Sequence, residues 1–207
     1  MDNFYKKLGP ISYKKVLSAL NDNKISTQKN NLRFSSFTGI DNCSDHDLTF
    51  LYDNHDISEI QTNPKGIIVS KKNNDRLNLN QTVKLVVSDV HLSVAKVSKL
   101  FYRDFNNAEK NKLKKTKLKQ GNNISKSAVI KNGCNIGDNF SISEGSIICE
   151  GCVIGRNVKI GSNTIIQNSI IGDNVEIENN CSIGQPGFGF AFNNSNNLKI
   201  YHIGRVI

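Results

Sequence analysis

Few residues in this chain of 207 residues could bind a metal or act as a base. It contains four histidines, at His46, His55, His91 and His202. It contains five cysteines, at Cys43, Cys134, Cys149, Cys152 and Cys181. Cys149 and Cys152 form one Cys-x-x-C motif, without the second ligand pair at matching spacing that a zinc site needs. We therefore expect no metal site, and reduced cysteines that pack as small apolar side chains.

A glycine-rich aromatic loop lies near the C-terminal end, with the sequence Ile183-Gly-Gln-Pro-Gly-Phe-Gly-Phe-Ala191. Gly187 and Gly189 let the backbone turn around Phe188 and Phe190. Two interpretations stay open: a packed aromatic loop without chemistry, and a loop that borders a cleft between neighbouring subunits.

The segment that holds this loop in place has a period of six. Isoleucine recurs without a miss at positions 124, 130, 136, 142, 148, 154, 160 and 166. The phase then slips by one residue and resumes at Ile171, Ile177 and Ile183. Pro186 falls where the next turn residue is due, which predicts that a loop leaves the repeat there. A fixed period of this kind indicates a solenoid.

Two further columns of the repeat explain the period. Three residues after each isoleucine comes a turn residue: Ser127, Gly133, Asn139, Gly145, Gly151, Asn157, Asn163, Asn174 or Asn180. Four residues after it comes a mostly small side chain: Ala128, Cys134, Phe140, Ser146, Cys152, Val158, Thr164, Val175 or Cys181. Glycine and asparagine enter the left-handed region at low cost, so we expect a corner every six residues. Three sides then close a coil of about eighteen residues, and the coils stack at about 4.8 Å.

Residues before the repeat read as a small α/β domain. Ser12 can cap a helix that carries Val16, Leu17 and Leu20 on one face. Strand-like runs follow at Phe34–Ile40, Leu48–Tyr52, Gly66–Ser70 and Val83–Ser88. Asp89 can cap a second helix that carries Val90, Val94, Val97 and Phe101.

The net charge of +9 comes largely from the stretch between Arg103 and Lys119. No aromatic side chain lies between Lys110 and Lys119 to stack on bases, so we expect no nucleic-acid binding. A solvated basic linker is the first interpretation, and a contact site for an acidic protein or an anionic membrane face is the second.

The sequence contains no apolar run of about 18 residues, and its N-terminus does not resemble a secretory signal. We expect a cytoplasmic location, with peripheral contact at the inner face of the inner membrane as the alternative.

The aromatic loop, followed by Lys199-Ile-Tyr-His-Ile-Gly-Arg-Val-Ile207, resembles the UDP-3-O-(3-hydroxyacyl)glucosamine N-acyltransferases, a family of hexapeptide-repeat enzymes. The resemblance covers the whole chain and implies a left-handed parallel β-helix preceded by a small α/β domain. It implies a homotrimer that takes part in lipid A biosynthesis in a Gram-negative bacterium. The acyl donor would be acyl carrier protein, the acceptor a UDP-sugar lipid, and no further cofactor would be needed. Gly187, Phe188 and Phe190 would then contact substrate.

The family also has a Phe-x-x-Asn-x-x-Tyr motif that holds the uracil of the nucleotide sugar. The matching segment here is Leu48-Thr-Phe-Leu-Tyr-Asp-Asn-His-Asp56. Phe50 fits the motif and could stack on a base, whereas Asp53 occupies the asparagine position and Asp56 the tyrosine position. A carboxylate close to a diphosphate is unfavourable, so the departure leaves a plain strand with a polar end as the alternative.

The resemblance places the general base of the family, a histidine, on a coil beyond Ile207. We therefore assign no catalytic residue, expect a C-terminally truncated chain, and read His202 as a surface residue. We expect a uridine-binding-like α/β domain over residues 1–105, a basic linker over 106–120, and a β-helix over 121–207 with a loop at 185–199. Two alternatives remain: another hexapeptide acyltransferase acting on a nucleotide sugar, and a non-catalytic β-helix used for binding or assembly.

Overall fold

The computed structural model describes residues 4–20, 31–56, 60, 62–79, 81–104, 107–110, 112–119, 121–192, 197–201 and 203–207. The chain divides into two compact units. The α/β unit contains residues 7–103 and 188–201, and the β-helix unit contains residues 1–6, 104–187 and 202–207. No helix in the described part of the chain has both the length and the apolar content to cross a membrane.

The α/β unit is built on a parallel sheet of four strands. These are β4 (Phe37–Gly39), β5 (Leu48–Phe50), β6 (Gly66–Ser70) and β7 (Val83–Val87), and they lie in the order β4-β5-β6-β7. All three pairs of neighbouring strands are parallel. The carboxyl ends of the four strands therefore lie along one edge of the sheet.

Each α-helix of the α/β unit follows a residue that can cap it. The helices are α1 (Tyr13–Leu20), α2 (Lys71–Arg76) and α3 (Val90–Phe101). Ser12 accepts from the backbone N–H of Lys15, and Asp89 accepts from the backbone N–H of Leu92, so both predicted caps are confirmed. Ser70 caps α2, a short helix that the sequence analysis missed.

The core of the α/β unit lies between the sheet and helices α1 and α3. Its buried side chains include Val16, Phe34, Phe37, Leu48, Ile68, Leu85, Val94, Val97 and Phe101. The smaller elements are β1 (Lys6–Lys7), β2 (Ile11–Ser12), β3 (Arg33–Phe34), a 3-10 turn (Ile40–Asn42) and β8 (Tyr102–Arg103). β2 pairs antiparallel with β3.

The β-helix unit contains eleven strands of two residues each among the described residues. They are β9 (Asn123–Ile124), β10 (Val129–Ile130), β11 (Asn135–Ile136), β12 (Ser141–Ile142), β13 (Ile147–Ile148), β14 (Val153–Ile154), β15 (Lys159–Ile160), β16 (Ile165–Ile166), β17 (Ile170–Ile171), β18 (Glu176–Ile177) and β19 (Ser182–Ile183). They form three parallel sheets, in the orders β10-β13-β16-β19, β11-β14-β17 and β18-β15-β12-β9. Val129 pairs with Ile147, eighteen residues later, as a three-sided coil requires. The predicted mainly β architecture of stacked parallel strands is confirmed.

The predicted corner residues adopt the left-handed conformation, with one exception. Positive φ angles occur at Gly133, Asn139, Gly145, Gly151, Asn157, Asn163, Asn174 and Asn180. Ser127 lies in a turn, as predicted, but it has no positive φ. Serine has a Cβ that makes the left-handed region costly and lacks the local hydrogen bonding that lets asparagine occupy it.

The interior of the coils follows the two predicted columns. The isoleucines of the six-residue repeat are buried from Ile136 to Ile177, and so are Phe140, Ser146, Cys152, Val158 and Thr164. The slip in phase shortens one coil, because Val153 pairs with Ile170 only seventeen residues later. Asn168 takes the left-handed corner and Ser169 the interior position there, each one residue early.

The segment predicted to be a basic linker, 106–120, lies in the β-helix unit rather than between the units. It includes α4 (Asn107–Lys110), and irregular chain over 112–119 then hydrogen-bonds to the first coil through Lys114 and Thr116. Gly121 has a positive φ six residues before Ser127, and Leu118 precedes Ile124 by six. The repeat therefore begins one hexad before Ile124, and Leu118 occupies the isoleucine position of that hexad.

The loop predicted at 185–199 carries a hairpin, and 193–196 lies outside the described residues. Its strands are β20 (Phe190–Phe192) and β21 (Asn197–Lys199), paired antiparallel. Both strands contact α3, and residues 188–201 belong to the α/β unit.

Candidate functional site

The α/β unit has a cavity of about 350 Å³ at the carboxyl edge of its parallel sheet. Its lining residues directly follow strands β5, β6 and β7, or end them. They are Tyr52, Asp53, Asn54, Ser70, Ser88, Asp89, Val90 and His91. In open α/β sheets ligands bind in the crevice outside the carboxyl ends of the strands, so this cavity is the candidate site.

A row of aromatic rings leads from the core of the unit to this cavity. The Phe37 and Phe50 ring centroids lie 5.3 Å apart, and those of Phe50 and Tyr52 lie 5.1 Å apart. The Tyr52 ring then stacks on His91 at 4.1 Å with an interplanar angle of 18°. Two stacked rings at the mouth of a cavity offer a flat surface on which a planar heterocycle can lie.

Tyr52 is anchored through a hydrogen bond to its backbone, and its side chain is partly buried. The Asn73 side-chain amide donates to the Tyr52 carbonyl at 3.2 Å. Burial raises the pKa of the Tyr52 phenol above its usual value. The hydroxyl therefore stays protonated at neutral pH and can donate a hydrogen bond to a ligand.

Two carboxylates give the cavity a negative character. The Ser70 hydroxyl donates to Asp53, which orients that carboxylate. Asp89 accepts from the Leu92 N–H at 2.9 Å, at the N-terminus of α3. Carboxylates accept hydrogen bonds from N–H and O–H groups and repel phosphates. The geometry thus favours a base edge or sugar hydroxyls inside the cavity, with any phosphates outside it.

The structure brings together only part of the predicted set of substrate-binding residues. Asp53 lines the cavity, whereas Phe50 lies behind Tyr52 and does not line it. Phe188 and Phe190 belong to the hairpin segment, and their ring centroids lie 4.9 Å apart in an edge-to-face contact. Phe188 is 93% exposed, while Phe190 and the adjacent Gly187 are partly buried. Neither phenylalanine lines the cavity.

Sequence analysis missed Tyr52, Asn54, Ser70, Ser88 and His91 as site residues, and it treated Asp89 only as a cap. A signal was present, because each follows or ends a strand-like run. Parallel pairing of consecutive strands brings such positions to one edge. A strand-like run taken alone does not show whether it pairs parallel or antiparallel with its neighbours. The sequence analysis therefore could not group the residues at the ends of these runs.

All five cysteines are free thiols. Cys134 and Cys152 are buried in the core of the β-helix unit. Burial raises the pKa of Cys152 to about 12 and also raises that of Cys149, so neither is an activated nucleophile. The described residues contain no group of three or more His, Cys, Asp or Glu that could hold a metal ion. His202 lies outside the described residues.

Two of the remaining histidines pair with surface carboxylates. His46 lies 3.6 Å from Asp45, and His55 lies 3.7 Å from Asp41. Neither pair lines the cavity.

A known protein resembles this chain over both of its units. The chain is 34% identical over 184 residues to a UDP-3-O-acylglucosamine N-acyltransferase of Campylobacter lari (strain RM2100), a match that covers 85% of this chain and 55% of that protein. Proteins with the same name from Rhodopseudomonas palustris match 48 residues, which cover 23% of this chain and 13% of each relative. The identity is 50% for strain HaA2 and 48% for strain BisB5. The chain is similar to these N-acyltransferases.

The chain spans about half the length of the Campylobacter lari relative. In addition, the family described as the GMPPB C-terminal domain matches residues 116–191. That match begins inside the segment that the sequence analysis treated as a linker. It thus agrees with the corner at Gly121, which extends the repeat by one side.

Proposed function

We propose that this protein is an N-acyltransferase of lipid A biosynthesis that acts on UDP-3-O-acylglucosamine. One observation carries the proposal: the similarity at 34% identity extends through 85% of the chain, and so through both units. A shared β-helix alone would fit many acyltransferases. The α/β unit in front of it, with a cavity suited to a nucleoside, narrows the choice.

In this proposal the cavity of the α/β unit binds the uridine part of the substrate. The uracil lies against the Tyr52–His91 pair, and the Asn54 amide is available to its polar edge. Asp53 and Asp89 accept from the uracil N–H or from ribose hydroxyls, and the diphosphate points away from them. This arrangement uses Tyr52 where the family motif led us to expect Phe50.

The reaction is acyl transfer to an amine. The 2-amino nitrogen of the sugar attacks the thioester carbonyl of 3-hydroxyacyl-acyl carrier protein, so that a C–N bond forms and the C–S bond breaks. A histidine base takes the proton from nitrogen and passes it to the departing thiolate of the carrier protein, and a backbone N–H stabilises the oxyanion. By resemblance to the family, that histidine lies on a coil after Ile207. The thioester supplies the acyl group, and the proposal requires no other cofactor.

The remaining parts of the proposal concern assembly and surroundings. The β-helix is left-handed, the functional unit is a homotrimer, and the enzyme works in the cytoplasm or at the inner face of the inner membrane. The exposed Phe188 and its neighbours Gly187 and Phe190 contact the acyl chain. Apolar outward-facing residues on one side of the β-helix support self-association, since water contact at such residues is unfavourable.

Nucleotide binding by the 207-residue chain tests the role of the cavity. We expect UDP-N-acetylglucosamine to bind more tightly than ADP-glucose in calorimetric titrations. Tyr52→Ala should weaken binding by about 1–3 kcal/mol, the worth of one base stack. His46→Ala is the control, because His46 is exposed and lies outside the cavity lining. Unchanged affinity of the Tyr52 variant, or a preference for ADP-glucose, would contradict this assignment.

Acyl transfer itself tests the activity. A version extended through the further coils of the relatives should convert a UDP-3-O-acylglucosamine and acyl carrier protein thioester into an amide, detected by mass spectrometry. The 207-residue chain should bind nucleotide without turnover. An ester product would favour another hexapeptide acyltransferase acting on a nucleotide sugar. Absence of any transfer by the extended version would favour a non-catalytic protein for binding or assembly.

A further inference from the structure

The β-helix unit is electrically polarised along the direction in which its coils stack. Residues 112–137 contain seven lysines and no acidic residue, a charge of +7. Residues 138–187 contain six acidic residues and two basic ones, a charge of −4. Since each coil stacks on the one before, the positive charge collects at the first coils, and the later coils are acidic.

The most basic part of this first end is held in a defined position. The Gly133 N–H donates to the Lys114 carbonyl at 2.8 Å. The Thr116 hydroxyl donates to the Lys131 carbonyl at 2.7 Å and accepts from the Cys134 N–H at 3.0 Å. The segment from 114 to 119 therefore lies along the edge of the first coil as an added side, and not as a free linker. We call it the basic edge.

The side chains of the basic edge project into solvent. Its lysines are exposed, as is the preceding Lys112. The ion pairs recorded for this region use the lysines at either end: Lys110 with Glu150 at 3.6 Å, and Lys119 with Asp138 at 3.1 Å. Leu118, at the interior position of the repeat, is still 50% exposed, because it lies at the edge of the stack.

We propose that the basic edge is a docking surface for an anionic lipid bilayer. Four to eight clustered lysines at a membrane surface attract acidic headgroups and need no shaped pocket. Leu118, which lies between Lys117 and Lys119 and is 50% exposed, adds an apolar side chain that can enter the boundary between headgroups and acyl chains. The proposal is independent of the acyltransferase assignment.

The chemistry of the basic edge favours lipid over the other polyanions. Its cations are all lysine, a hydrated point charge, and it contains no arginine to form paired hydrogen bonds. Protein interfaces are depleted in lysine and enriched in arginine and aromatic residues, which argues against an acidic protein partner. Residues 112–119 also contain no aromatic ring on which a nucleic-acid base could stack.

Vesicle sedimentation with the full 207-residue chain tests the proposal. We expect binding to phosphatidylcholine vesicles that contain phosphatidylglycerol, none to phosphatidylcholine alone, and loss of binding as salt rises. The triple variant K112Q/K115Q/K117Q should lower the partition coefficient on the order of 100-fold at low ionic strength. Leu118→Gln should lower it further by a factor that salt does not change.

The matched control removes the same charge elsewhere. The lysines of K14Q/K15Q/K99Q are exposed residues of α1 and α3, outside the basic edge. This variant should retain most of the binding, and circular dichroism should show both triple variants folded. Equal losses in the two triple variants, or no binding of the unaltered chain to acidic vesicles, would overturn the proposal. Binding to an acidic carrier protein through the same lysines, without vesicle binding, would also overturn it.

Discussion

At the residue scale, the corners of the β-helix illustrate how strongly a single backbone position can restrict sequence. Gly145 has φ +69°, and a Cβ placed on it would lie 2.4 Å from Oδ1 of Asn163 in the next coil. The same repeat contains Gly172, which has no positive φ and no heavy atom within 4 Å of such a Cβ. The repeat already separates the two glycines, because Gly145 lies three residues after Ile142 and Gly172 directly follows Ile171. Only the glycine at the corner is required by the conformation.

Substitution of these two glycines gives a matched pair of predictions. Gly145→Ala should lower the free energy of unfolding by about 2 kcal/mol or more, because left-handed backbone costs about 1–2 kcal/mol for alanine and the close contact adds to it. Gly172→Ala should change it by less than about 1 kcal/mol, and in the stabilising direction. Urea unfolding followed by circular dichroism measures both. Equal effects at the two sites would show that the corner geometry is wrong.

At the element scale, the three sheets of the β-helix differ in what they present to the outside. One sheet presents Val129, Ile147, Ile165 and Ser182 from β10, β13, β16 and β19. Another presents Asn123, Ser141, Lys159 and Glu176 from β9, β12, β15 and β18. The interior isoleucines are the same in all the sheets, so the outward residues alone distinguish the sides. The third sheet presents Asn135, Val153 and Ile170, so the side with Val129, Ile147 and Ile165 is the most apolar of the three. We expect that side to face another copy of the chain.

Charged substitutions on these two sides test self-association. The double variant I147K/I165K should weaken association by about 3 kcal/mol or more per contact, since two isoleucines would no longer be buried. N123K/S141K adds the same charge to the polar side and should leave association unchanged. Sedimentation velocity over a range of concentrations measures both. A monomeric unaltered chain, or equal dissociation of the two variants, would contradict the assignment of this face.

At the scale of the whole molecule, the first described residues join the unit that is formed mostly by the second half of the chain. Phe4 is buried in the β-helix core, and Tyr5 packs against that core. The Tyr5 hydroxyl donates to the Gly204 carbonyl at 3.2 Å, almost two hundred residues later in the sequence. The β-helix unit therefore contains chain from both sides of the α/β unit.

Because the Tyr5 phenol is partly buried, the free energy of unfolding falls at alkaline pH. Burial, with a smaller effect from the Asp104 carboxylate, raises the pKa of Tyr5 to about 12 from 10.0. Between these values the phenol ionises in the unfolded chain but stays protonated in the folded one, so the free energy of unfolding falls as pH rises from about 10 to about 12. Below about pH 10 the contribution is fully present.

Tyr5→Phe isolates the contribution of this phenol from that of the other titrating groups. Urea unfolding at a series of alkaline pH values should show a steeper loss of stability for the unaltered chain than for the variant. All other side chains are the same in the two proteins, so their contributions cancel in the comparison. Parallel curves would mean that Tyr5 is exposed to solvent in the folded protein.

The sequence by itself determined the β-helix, because a six-residue repeat with a corner residue in each hexad is a local pattern that each coil repeats. It also determined the caps at Ser12 and Asp89, which involve residues only three positions apart. Both depend on short-range backbone geometry, which residue type controls directly.

Only the tertiary structure decided where the cavity lies and which residues line it. Tyr52, Ser70 and His91 are far apart in sequence and meet because consecutive strands pair in parallel, a choice that no single segment encodes. The same holds for the basic edge. Its many lysines led us to expect a linker, and the sequence analysis did not recognise that Leu118 occupies the isoleucine position of the repeat. Its place in the stack follows from hydrogen bonds to residues about eighteen positions later. Pairing between distant segments depends on the free energy of the whole packed chain, and so it becomes visible only in the folded molecule.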